Sequence, residues 1–69
     1  MLYAVSVYEG WEDGAWKYAG YVKIFHEQNR AIKFAYHSIE NSFYACYYMV
    51  EAMSEEMVRE NGLEDLIES

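Results

Sequence analysis

The sequence predicts a small α+β domain in which an N-terminal antiparallel β-hairpin, about residues 2–11 and 15–25, packs on a long or broken helix over about 27–61. Three observations predict it. Asp13-Gly14 is a tight-turn signal between two alternating stretches. No glycine stands between Gly20 and Gly62 and no proline occurs anywhere, so nothing in the middle of the chain punctuates regular structure. From Ile32 the apolar positions 32, 36, 39, 43, 46, 50, 53 and 57 advance by fours and threes, which is helical spacing. At 69 residues the chain has room for one domain, 1–69, with one core.

A two-residue turn at Asp13-Gly14 pairs Glu12 with Ala15 and sets the register of the hairpin. Tyr3, Val5, Val7 and Trp11 then oppose Ile24, Val22, Gly20 and Trp16 on one face, which is the more apolar and is expected to meet the core. Trp11 and Trp16 would form an aromatic cross-strand pair.

The helix is expected to start near Glu27-Gln28. Unbroken to residue 61, it would be about 52 Å long. A compact chain of this length is roughly 30 Å across, and ten-residue strands reach about 33 Å. The helix must therefore break near Asn41-Ser42 or project into a second subunit. Gly62 suits the position just past its end, with Leu63 packing back on Val58 and residues 63–69 left as a frayed acidic tail. Ala31 to His37 also alternates, so the competing architecture is a three-stranded antiparallel sheet with its third strand at 31–37 and one helix over 39–61. Alanine, lysine and arginine in that stretch favour the helix.

Hydrophobic residues make up 54% of the chain, and eight of its aromatics are tyrosine, a side chain with an apolar body and a polar tip. A core this small is marginal by itself. Between Phe43 and Met53 the only strongly polar residue is Glu51, so a helix there would be apolar on both sides. The hairpin can cover one side. Tyr44, Tyr48, Met49 and Ala52 form the other and are the expected self-association surface of a homodimer. Met49, Met53 and Met57, spaced by fours, would add an adaptable strip.

The net charge of −7 is concentrated. Residues 1–39 balance four acids with four bases, whereas residues 40–69 carry eight acids against Arg59 alone. Direct nucleic-acid binding needs clustered cations and is not expected. A protein partner with a basic surface is. Glu51, Glu55, Glu56 and Glu60 recur at i, i+4 and are the candidate partner-binding face. Carboxylates one helical turn apart lie ~6 Å from each other, near the spacing of phosphates along a strand. An acidic helix of this kind could occupy a nucleic-acid site on a basic protein.

Reaction chemistry is poorly served. His26-Glu27 opens like a zinc-binding H-E-x-x-H, but Arg30 stands where the second histidine belongs. His26 and His37 would be ~16 Å apart along one helix. Cys46 lies in the most apolar stretch with no base at helical spacing and reads as a small core residue. No Gly-rich phosphate loop is present. No catalytic residue, metal or cofactor is therefore expected. No basic segment follows Met1, and the longest apolar run, residues 43–50, is far short of the ~20 residues that span a bilayer. With a lone cysteine, the chain reads as cytoplasmic, without a membrane anchor.

The function expected is that of a small, acidic, non-enzymatic protein-interaction module. In size, acidity and cysteine content the chain resembles the inhibitors and accessory proteins that phages encode against host or defence proteins. The alternative is an oligomer that sequesters a nucleotide, with Trp11, Tyr44 and Tyr48 lining a subunit pocket and Lys17, Lys23, Arg30 and Lys33 as the cations near it.

Overall fold

The computed structural model describes residues 1–11, 13–41 and 46–68. Their elements are β1 (Leu2–Gly10), β2 (Trp16–Phe25), α1 (Gln28–Glu40), β3 (Cys46–Met53), α2 (Glu55–Glu60) and a short 3-10 turn, Glu64–Leu66. The strands form one antiparallel sheet in the order β2-β1-β3.

The hairpin forms where the alternation placed it, with a different turn. The Gly14 amide donates to the Trp11 carbonyl (2.8 Å) and the Trp11 amide to the Ala15 carbonyl (3.0 Å), so Trp11, not Glu12, closes the loop opposite Ala15. A type I′ turn requires positive φ at both central residues. Here Gly14 has φ +80° and Asp13 has none, its Oδ1 instead accepting the Ala15 amide at 3.0 Å. Two bulges on β2 then restore alignment stepwise, so only Ser6–Tyr21 and Val7–Gly20 keep the expected register. Trp16 opposes Gly10 and is not the cross-strand partner of Trp11. Trp11 lies under the Lys17 ammonium, 4.8 Å from its ring centre.

The helix starts as expected after Glu27 and breaks at Asn41, whose backbone and side-chain N–H groups both donate to the His37 carbonyl (3.2 and 2.8 Å). The break sits where the length argument required one. Residues 31–37 are helix, so the competing third strand is not there. The continuous helix to residue 61 is not formed either: residues 46–53 are the third strand, paired to β1 in unbroken register from Leu2–Met53 to Glu9–Cys46. The helical spacing failed because nearly every residue of 46–53 is apolar, so any period selects apolar positions. Tyr47, Tyr48 and Val50 suit a strand. Met49, Met53 and Met57 consequently form no strip. Met53 is core, while Met49 and Met57 are exposed on different elements.

α2 is a single capped turn and a half. Ser54 Oγ accepts the Met57 amide at 3.1 Å. At the other end Gly62 adopts φ +67°, Leu63 N–H reaches the Val58 carbonyl (3.0 Å) and Gly62 N–H the Arg59 carbonyl (3.1 Å), a Schellman closure at the expected glycine.

Both faces of the sheet bury one end of β1. On one face Val5 and Phe25 meet Ala31 and Ala35 of α1, with Tyr3, Phe34, Tyr48 and Val50 around them. On the other, Leu2, Ala4, Ile24 and Met53 are sealed by Val58, Leu63, Leu66 and Ile67. Of the stretch expected to fray, residues 63–68 are thus a structural layer, and Ser69 lies outside the described residues. Ile67 bridges Ile24, the Glu68 amide donates to the Ile24 carbonyl (2.8 Å), and Glu68 Oε2 accepts the His26 amide (2.9 Å). Glu68 Oε1 lies 2.8 Å from Arg30 Nη2, an ion pair between a side chain 7% exposed and one 60% exposed. Because Glu68 is buried and its partners are backbone and a cation, Glu68→Ala should lower stability by about 1–2 kcal/mol. Urea unfolding would register this as a reduced midpoint, and hydrogen exchange as faster loss at residues 67 and 68.

Candidate functional site

The turn and one bulge of β2 decide what gathers on the half of the sheet that the C-terminal layer leaves open. The Trp11–Ala15 turn register pairs Tyr8 with Tyr18, and the bulge at Ala19 then sets Tyr21 opposite Ser6 on the same face. On its other side Tyr8 pairs with Tyr47 of β3. The three rings touch: Tyr8 stacks flat on Tyr47, centroids 4.8 Å apart, and meets Tyr18 edge-on at 5.3 Å. Trp16 adds an edge contact to Tyr47 at 4.9 Å, and Tyr21 one to Tyr18 at 5.9 Å. Such pairs contribute about 0.5–1.5 kcal/mol each beyond simple burial. The cluster stays open to solvent at its rim, where Trp16 is 50% exposed, Tyr18 52% and Met49 46%.

Glu51 borders this cluster. The Tyr21 hydroxyl reaches across the small Ala4 and Ser6 of β1 to donate to Glu51 Oε1 at 2.5 Å. That bond to a carboxylate, then burial, pushes the Tyr21 hydroxyl up to about 12. Burial also raises Tyr18.

The charge around the cluster is one-sided. Lys17 and Lys23 of β2 oppose Glu9 and Val5 and lie on the α1 side of the sheet, where the Lys23 ammonium sits over Phe25 and Phe34. At the far end of the open face, the layer from Ser54 to Glu68 carries Glu55, Glu56, Glu60, Glu64, Asp65 and Glu68 against Arg59.

The expected partner-binding carboxylates are not one ladder. Glu51 is on β3, Glu55 and Glu56 open α2, and Glu60 ends it, so only Glu56 and Glu60 remain a helical turn apart. Glu55 and Arg59 border a cleft of about 120 Å³ beside His26. The expected self-association residues divide likewise. Tyr44 lies outside the described residues, as does Phe43. Tyr48 packs toward α1, Ala52 shares its side of the strand, and Met49 projects to the other. Cys46 is half-buried at the start of β3 opposite Glu9 and is not part of the core.

A second concavity, about 250 Å³, runs between α1 and β3 and is lined by Ile32, Ala35, Tyr36, Ile39, Tyr48 and Val50. Tyr48 lines it and Trp11 does not. Of the four cations expected near a nucleotide pocket, Lys17 lies over Trp11, Lys23 over Phe25 and Phe34, and Arg30 beside Glu68. Among the described residues no three His, Cys, Asp or Glu side chains come together to hold a metal, and no helix is long and apolar enough to cross a membrane.

Sequence reasoning missed Tyr8, Trp16, Tyr18, Tyr21 and Tyr47 as a set. Period-two reading of 46–53 would have put Tyr47, Met49 and Glu51 on one face. Tyr18 joins them through the Trp11–Ala15 turn register, and Tyr21 through a bulge that no residue type announces.

The Tyr21–Glu51 bond has a titration consequence. Tyr21 is held neutral in the folded state, so its contribution to stability is whole below the ordinary tyrosine value near 10 and is lost as pH rises through about 12. In Glu51→Gln the carboxylate is gone, and phenolate absorbance should show one tyrosine titrating closer to 10.

No family model matches the chain, and no curated protein or solved structure matches it.

Proposed function

We propose that this chain is a non-enzymatic protein-interaction module that docks a cationic protein surface on the tyrosine face of its sheet. The observation that carries the reading is the open cluster of Tyr8, Trp16, Tyr18 and Tyr47 beside Glu51, on a face whose other end is acidic. Ring faces attract guanidinium and ammonium groups by about 0.5–2 kcal/mol each. Tyrosine, tryptophan and methionine are the side chains enriched where proteins meet. A carboxylate has acceptor capacity beyond one hydroxyl, so Glu51 can keep Tyr21 and still receive an arginine. The carboxylates of the C-terminal layer would steer such a partner to the face.

The finer reading is an inhibitor that occupies a basic nucleic-acid-binding surface, as phage accessory proteins do. It rests on the same distributed acidity, no longer on a helical ladder. Competition decides it: nucleic acid added to the complex displaces the chain if the partner's surface is shared.

The test is titration with an arginine-rich peptide, followed by tryptophan fluorescence and by NMR shifts. Binding should weaken with salt and perturb residues 8, 16, 18, 47 and 51. Trp16→Ala with Tyr18→Ala, both rim positions, should weaken it about tenfold, and Glu51→Gln should flatten its salt dependence. Equal binding of a glutamate-rich peptide, or unchanged affinity in the double variant, defeats the reading.

A further inference from the structure

The two outer strands of the sheet are treated differently by the sequence. β2 carries two bulges and two lysines, the devices that keep an exposed strand edge from pairing with another chain. β3 carries neither. Its register with β1 is unbroken over eight residues, it holds no lysine or proline, and its one charged side chain, Glu51, is turned to Tyr21. The edge of β3 that faces away from β1 is unpaired among the described residues.

An apolar row on α1 flanks that edge. Ile32, Tyr36 and Ile39 are 36%, 67% and 42% exposed. They line the groove of about 250 Å³ whose floor is Tyr48 and Val50 of β3. Spaced four and three apart, they share one side of the helix, next to the side on which Ala31 and Ala35 are buried.

We infer that a second copy of the chain docks on the free edge of β3, joining two sheets into one of six strands and packing α1 against its own copy. The geometry selects a second copy over a foreign strand. Two antiparallel copies of β3 are related by a two-fold axis normal to the sheet, which keeps both α1 helices on the same face, side by side across the axis. A foreign strand would satisfy the edge and leave Ile32, Tyr36 and Ile39 in water. The charges agree as well. Lys33 and Glu40 border the apolar row on its solvent side and are equidistant from a centre beside Tyr36. Antiparallel helices centred there set Lys33 of each copy against Glu40 of the other. The acidic C-terminal layer lies on the opposite face of the sheet and does not oppose this contact.

The joined sheet also brings together Met49 and Glu51 of both copies, so the two tyrosine faces become one surface.

The test is sedimentation of the full chain across the micromolar range. The wild type should sediment at twice 8.2 kDa. Tyr36→Glu and Ile39→Lys, both at exposed positions, should give the monomer mass with an unchanged circular dichroism spectrum. Lys33→Glu alone should weaken the dimer about fivefold, and Lys33→Glu combined with Glu40→Lys should restore it. The inference is overturned by a wild type that stays monomeric throughout the range. It is equally overturned by a dimer indifferent to Tyr36→Glu and Ile39→Lys, or by a charge swap that restores nothing.

Discussion

Everything in this fold depends on β1 being enclosed. It is the strand paired on both edges, and its first half is covered on both faces, with Leu2, Ala4, Val5 and Ser6 all buried. A sheet buried on both sides needs two layers above and below it. α1 supplies one along much of the sheet. The second is only a six-residue helix and a 3-10 turn, too short to run the 36 Å length of the molecule. Past Ser6 the second face has no such cover among the described residues, and there the chain uses residues that tolerate half-burial: tyrosines stacked on one another. The aromatic face is thus the remainder of a packing problem that a short chain leaves unsolved.

The bulges of β2 serve two ends. They twist the edge away from pairing, and the one at Ala19 sets Tyr21 opposite Ser6, on the face of Tyr18, where an unbroken register would set it opposite Val5. Charge is sorted by the same architecture. Lys17, Lys23 and Arg30 are engaged with rings or with Glu68, while the carboxylates of the C-terminal layer crowd the face away from α1. A molecule neutral on one face and acidic on the other presents different surfaces to itself and to a basic partner.

What could be read in advance was local. Asp13-Gly14 marked the hairpin, Gln28 the helix start, Asn41 its break and Gly62 a cap, because each acts through its own backbone. What could not be read was tertiary. Residues 46–53 are apolar at almost every position, so no period separates a strand from a helix there. The choice is made by β1, whose paired residues lie 37 to 51 positions away in sequence. Glu68 gave no sign of its role, since a carboxylate near an acidic end becomes a clamp only once His26 and Arg30 are beside it. The acidic residues were identified as a group, yet their arrangement followed the strand that replaced the helix.

The bridge from Ile67 to Ile24 also orders events in time. A ribosome delivers the chain from its N-terminus, and the hairpin can close as soon as Phe25 emerges. Leu2, Ala4 and Ile24 must then wait, exposed, until residue 67 has followed, because Val58, Leu66 and Ile67 are what seal them. The contacts that close this cluster join residues far apart in sequence, the kind of closure that slows folding. For that interval the nascent protein carries an open hydrophobic cluster on the face that its acidic layer finally covers.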